Sequence, residues 1–164
     1  MKPHGINSNR SQLRSDLLTS FANHMKKVFT LCLVYESPRI LLGFKKIGFG
    51  AGKFNGFGGK VEKGESIEAA AKRELFEEVG LRAATWRKHG ILEFSFDGKV
   101  DVLEMHVFGA KEITGTPVES NEMRPQWFHV DKIPFKEMWV DDAYWLPLFL
   151  AGKQFKGKFR FNKT

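Results

Sequence analysis

No disulfide can form within this chain, because Cys32 is its only cysteine. That scarcity removes the cross-linked architectures of small secreted domains and fits a reducing compartment. Cys32 lies inside an apolar run, so it reads as core and not as a nucleophile. No stretch of about 18 consecutive apolar residues occurs, so no segment reads as a membrane-spanning helix. Acids are missing from residues 153–164, which carry five Lys/Arg and no Asp or Glu. Residues 1–27 hold five against one, and 28–152 hold sixteen Lys/Arg against eighteen Asp/Glu. The net charge of +7 therefore sits at the two ends of a slightly acidic body. That location weakens a nucleic-acid reading and favours solvated tails.

What is present suits one globular domain. Its 164 residues are 42% hydrophobic, with sixteen phenylalanines, enough for a core that buries roughly 70% of the unfolded surface. Residues 1–25 differ in character and read as an N-terminal extension, a short helix or disordered. Arg10, Ser11, Arg14 and Ser15 lend it a transit-peptide flavour that Asp16 and two histidines oppose. The domain proper is expected over 26–164.

Within it, Val28–Tyr35 is a near-continuous apolar strand, Ser37-Pro38 turns, and Ile40–Lys45 returns. Thr30 in the first strand reads as a satisfied core hydroxyl. Residues 48–59 hold six glycines and read as a loop whose backbone amides can approach a phosphate or a ring closely. Strands follow at Ala84–Phe96 and Val100–Ala110, joined by Asp97-Gly98, and at Gln126–Val130. A helix is expected from near Asp141, with an aspartate as its N-cap, Pro147 fitting badly and Gly152 ending it. Phe155–Phe161 alternates apolar with basic residues, as an edge strand guarded by lysines does. This order predicts an α/β fold with a mixed sheet between helices.

The densest chemical signal is Gly59–Leu81, GKVEKGESIEAAAKRELFEEVGL. Its front half is loop. Ala69, Ala70 and Ala71 begin a helix, and Gly80 stands where a C-terminus wants glycine. Glu74, Glu77 and Glu78 are spaced i, i+3, i+4, so they share a face and repel one another. A hard divalent cation answers that repulsion, and magnesium favours carboxylates together with substrate phosphates. Arg73 is expected to project away from these acids and tie the helix to the loop through Glu65. The competing reading is a solvated acidic face, which leaves the glycine-rich lead-in unexplained.

This stretch resembles the signature of the Nudix hydrolases: Gly, five residues, Glu, seven residues, Arg-Glu-apolar-x-Glu-Glu-x-Gly-apolar. The resemblance implies an α/β/α sandwich and Mg2+-dependent hydrolysis of a diphosphate linked to another group. The stretches FKKIGFGAGKFNGFGGKVEKGE, TPVESNEMRPQWF and IPFKEMWVDDAYW are further similar to the branch of the family that hydrolyses oxidised purine nucleoside triphosphates.

By that resemblance Glu74, Glu77, Glu78, Glu122 and the Gly58 carbonyl would hold metal. Thr30, Lys45, Asn55, Phe57, Gly58, Gly59, Lys60, Trp139, Asp141 and Asp142 would meet the nucleotide. Phe49, Phe94 and Leu103 would line the base pocket. Glu78 is the favoured general base and Glu77 the key ligand, although spacing alone does not separate the roles of the three acids. The partner implied is a small-molecule nucleoside triphosphate met by a monomer, with no stable nucleic-acid partner and no membrane. The compartment expected is the cytoplasm, with a mitochondrial or nuclear pool as variants. The rivals are a Nudix hydrolase for another phosphate ester, such as a dinucleoside polyphosphate or nucleotide sugar, and a basic-tailed nucleic-acid-binding module.

Overall fold

A computed structural model describes residues 25–162; the expected N-terminal extension falls almost wholly outside them. The elements in chain order are β1 (Lys26–Glu36), β2 (Arg39–Lys45), β3 (Phe54–Asn55), α1 (Ile67–Val79), β4 (Arg82–Phe96), β5 (Val102–Thr114), β6 (Met123–His129), α2 (Asp142–Leu150) and β7 (Phe155–Phe161). Two 3-10 turns, Val130–Lys132 and Phe135–Glu137, link β6 to α2.

The strands form one seven-stranded mixed sheet in the order β3-β2-β1-β5-β4-β7, with β6 also pairing β2. β1 runs parallel to β5, and β4 parallel to β7. The β1–β2, β4–β5 and β2–β6 pairs are antiparallel. β7 is an edge strand, as its lysines suggest.

The near-continuous apolar run of β1 has a simple cause. Side chains alternate across a strand, and this strand is covered on both faces. Leu31 and Leu33 join one core with Trp145, Leu146 and Phe149 of α2. Cys32 and Val34 join the other with Leu75 and Val79 of α1. In β2, Ile40 and Leu42 go with the first core and Leu41 with the second. The result is the expected α/β/α sandwich.

α1 begins at Ser66, whose hydroxyl accepts the Ala69 N–H, and ends at Gly80 in the left-handed region at φ 73°. Both ends follow from local sequence. α2 starts at Asp142 and contains Pro147 in its interior, so the helix is tolerated where the proline argued against it. The expected aspartate cap is not made: Asp141 occupies the N-cap position in helical conformation, and its side chain makes no capping hydrogen bond.

The glycine-rich segment is more structured than a loop. β1 and β2 pair directly only near their turn, from Val34↔Leu41 to Glu36↔Arg39. Beyond it they part, and residues 54–61 fill the gap. β3 bonds to β2 at Gly43 and Phe44. Next, Cys32 and Phe57 exchange both backbone hydrogen bonds, at 2.6 and 2.8 Å, Thr30 N–H donates to Gly59 O at 2.9 Å, and Val61 N–H donates to Val28 O at 3.0 Å. This wedge works only with glycine at its tightest point, because a Cβ on Gly58 would overlap the Thr30 backbone carbonyl. Gly58→Ala should therefore destabilise the fold by about 1–3 kcal/mol, the usual range for overpacking. Urea unfolding should show a lower midpoint at unchanged slope.

Candidate active site

The α1 acids divide by burial. Ala70, Ala71, Leu75 and Val79 turn inward, and Glu78 goes with them. The Glu74 side chain is 15% exposed and Glu77 56%, so the shared face predicted from spacing grades from core to solvent. Arg73 is the hub. It forms a bidentate pair with Glu65, Nε to Oε2 at 3.0 Å and Nη2 to Oε1 at 2.7 Å, and donates to the Lys60 carbonyl at 3.2 Å. The tie to Glu65 is as expected, but Arg73 does not project away from the acids. Its Nη1 also donates to Glu74 at 2.9 Å and Glu77 at 3.1 Å. The guanidinium, beside Glu65, holds that carboxyl down at about 2, because its fork fits a carboxylate at two points.

Glu78 is the buried end of this set. Its Oε1 accepts the Gly58 N–H at 3.1 Å. Its Oε2 is buried without a hydrogen-bond partner among the described residues. Burial pushes its carboxyl up to about 8, against the pull of Lys45 and the Gly58 amide. Burial likewise raises Glu74, opposed by Arg73. Glu74, Glu77 and Glu78 line a cavity with Ser120, Asn121 and Glu122. Ser120 shapes that corner, its hydroxyl accepting the Glu122 and Met123 N–H groups. Lys45 Nζ stands 3.5 Å from Glu122.

This donor set fits a hard divalent cation. It is all oxygen, net negative, and includes an unpaired buried carboxylate oxygen, a costly group that a cation would satisfy. Among the described residues, no three of these side chains are gathered closely enough to hold an ion as they stand, consistent with like charges repelling and Arg73 drawing two of them to itself.

A second, more apolar cleft adjoins. Thr30, Lys45, Phe49, Asn55, Gly58, Gly59, Phe94, Leu103, Trp139, Asp141 and Asp142 all line it, so most of the residues singled out from sequence meet there. Phe49 stacks on Trp139 with centroids 5.2 Å apart and 25° between planes. Asn55 Oδ1 accepts the Gly56 N–H at 2.8 Å, which fixes the amide so that its NH2 group remains free to donate.

Asp141 and Asp142 are both buried, although a cap would have left them at the surface. Asp141 Oδ2 accepts from Trp145 Nε1, and Asp142 Oδ2 from the Trp139 N–H, each at 3.0 Å. Burial, then the neighbouring Asp141 charge, pushes Asp142 up to about 8, and burial raises Asp141.

Two residues expected at the nucleotide lie elsewhere. Phe57 is fully buried in the core beneath α1, because it pairs with Cys32 and follows that residue's face of the sheet. Lys60 is exposed and does not line the cleft; only its carbonyl is engaged, by Arg73. Thr30 is buried as expected of a core hydroxyl, yet it is not satisfied: its Oγ1 has no partner among the described residues. Sequence reading left out Phe96 and Met105, which also line the cleft. Phe94 and Leu103 came from the family resemblance; the strand alternation that they follow extends to Phe96 and Met105. Phe161 shares the alternation of β7, but nothing local tells that β7, or α2 with Trp145, reaches the cleft; tertiary packing brings them there.

Residues 25–149 match the family model described as the NUDIX domain, and the chain belongs to the Nudix family. Over 136 residues it is 54% identical to the oxidized purine nucleoside triphosphate hydrolase of Mus musculus and 56% identical to that of Danio rerio, covering 83% of this chain and 87% of each relative. The crystal structure of a MutT protein from Bacillus halodurans aligns with a TM-score of 0.74 at 28% identity, over 83% of this chain and 90% of that one. No helix among the described residues is long and apolar enough to cross a membrane.

The two buried acids make the metal-free protein sensitive to alkali. Glu78 and Asp142 hold their protons to about pH 8 when folded and release them near pH 4 when unfolded. Their contribution to stability is thus complete below about pH 4 and is lost as pH rises through about 8. With chelator present, Tm should fall between about pH 5 and 8, and Glu78→Gln or Asp142→Asn should each flatten the fall. A Tm independent of pH across that window would contradict the burial of these acids.

Proposed function

We propose that this chain hydrolyses oxidised purine nucleoside triphosphates, such as 8-oxo-dGTP and 2-oxo-dATP, to the monophosphate and pyrophosphate, and so clears damaged nucleotides from the cytoplasmic pool. The reading takes the protein to act as a monomer, on a small molecule, without a nucleic-acid partner. The observation that carries it is the buried pair Asp141–Asp142 in an aromatic cleft that adjoins the acidic cavity. The names of the mouse and zebrafish relatives support the same substrate class.

Glu74, Glu77, Glu78, Glu122 and the Gly58 carbonyl would hold Mg2+, which would neutralise phosphate oxygens and favour attack by water. Lys45, at the junction of cleft and cavity, adds positive charge for the phosphates. Glu78 is the proposed base: with a cation in the cavity its carboxyl would be ionised, and its Oε2, which no described residue engages, would accept the proton of the attacking water. Arg73 holds Glu74 and Glu77 in place while its fork keeps the loop on the helix.

At the base end, Trp139 provides a stacking face. Oxidation at C8 turns the N7 acceptor of a purine into a donor, and adenine and guanine differ on their Watson–Crick edge. An aspartate pair sharing one proton offers an acceptor and a donor together. The pair can therefore meet several oxidised purines.

A turnover assay with Mg2+ across normal and damaged purine triphosphates tests the reading. Preferential pyrophosphate release from 8-oxo-dGTP or 2-oxo-dATP is expected. Preference for a dinucleoside polyphosphate or nucleotide sugar, or tight salt-sensitive RNA binding without Mg2+, would overturn it. Glu78→Gln should lower kcat by about 10²- to 10⁴-fold, the usual scale of general-base catalysis; near-full turnover would move the base elsewhere. Asp142→Asn and Asp141→Asn should discriminate among the oxidised purines, and equal loss on all of them would count against proton sharing.

A further inference from the structure

Among the described residues, two buried side-chain polar atoms outside the acidic cavity lack partners, and they belong to neighbouring residues. Thr30 of β1 and His106 of β5 are register partners in the parallel pair, so their side chains stand side by side on one face of the sheet. Thr30 is 1% exposed and His106 4%. Thr30 Oγ1 and His106 Nδ1 both lack a hydrogen-bond partner among the described residues. Buried polar groups are rarely left unpaired, and two orphans on adjacent residues can answer each other.

The chemistry of the ring fixes which way. His106 Nε2 lies 2.8 Å from Glu104 Oε1, and the other oxygen of Glu104 accepts from Lys26 Nζ, also at 2.8 Å. Lys26 in turn reaches Glu93 at 3.1 Å. Lys26 first, and His106 second, hold the Glu104 carboxyl below its ordinary range. An ionised carboxylate can only accept, so Nε2 carries the hydrogen. With no second proton on the ring, Nδ1 keeps a lone pair. The Thr30 hydroxyl, on the register partner, is an unpaired donor among the described residues. Thr30 is also a residue of the cleft wall, so a χ1 rotation that turns its proton to His106 would leave the oxygen's lone pairs for a donor bound there.

We infer that His106 is a positioning residue: held by Glu104 and Lys26, it accepts the Thr30 hydroxyl proton, directly after a χ1 rotation or across one buried water, so that Thr30 presents an acceptor to an N–H or O–H donor of the nucleotide. His106 itself does not touch substrate. The inference rests on the nucleotide reading for its role in recognition, but the Glu104–His106–Thr30 link stands or falls on its own.

Two measurements test it. In ¹⁵N-labelled wild type at neutral pH, His106 should show a protonated Nε2 and an unprotonated Nδ1; a protonated Nδ1 would overturn the inference. Equilibrium binding of 8-oxo-dGMP without metal provides the second. Thr30→Val and His106→Phe should each weaken binding roughly threefold to tenfold, the worth of one neutral hydrogen bond, and the double variant should be no weaker than either. His106→Asn, which can place an amide oxygen near the site of Nδ1, should bind close to wild type. Additive losses, or no loss in either single variant, would sink the inference. Wild type that binds no purine monophosphate would instead remove the nucleotide reading, and with it the recognition role, while the nitrogen spectrum would still decide whether the link exists.

Discussion

The amide of Gly58 joins the two halves of this site. It donates to Glu78 on α1, while its own backbone lies so close to β1 that no side chain fits there. Through that contact the aromatic cleft and the acidic cavity are held in fixed relation. The contact exists because β1 and β2 part after a short shared ladder and the glycine-rich segment completes the sheet between them. Glycine at the crowded point is therefore a requirement of packing, and the chemistry is built on it.

Burial organises the electrostatics as much as charge does. The half-buried Glu65 is held as an anion by Arg73, whereas the buried Glu78 and Asp142 are pushed toward the protonated form. Such perturbed groups in a cleft mark a functional region. In the proposed reaction the two would serve different tasks. Glu78 faces a cavity of like charges and is suited to a cation and to proton transfer. Asp142 stands beside another aspartate under an aromatic face and is suited to reading hydrogen-bond donors and acceptors. Burial thus raises both carboxyls, in two different surroundings.

Much of this was legible in the residues themselves. The caps at Ser66 and Gly80, the alternation in β4, β5 and β7, and the i, i+3, i+4 spacing of the acids are all local patterns. They located α1, most strands and the cation-binding candidates. Local pattern failed where a residue had two plausible duties. Asp141 looked like a cap because aspartates before helices usually are; the indole of Trp145 claimed its carboxylate instead. Phe57 looked like part of a ligand loop, but pairing with Cys32 turned it into the core. Arg73 was correctly tied to Glu65, yet a guanidinium has five donors, and spacing did not reveal that it would also spend them on Glu74 and Glu77.

The sequence by itself determined the family, the layer order and the acid set, since these rest on period, capping and motif spacing within a short span of chain. Only the tertiary structure decided which acids are buried, that Thr30 and His106 stand together unpaired, and that α2 and β7 complete the cleft. Those outcomes depend on contacts between residues far apart in the chain, and on how much water each side chain loses when the sheet and helices close. Neither quantity is written in any local stretch of residues.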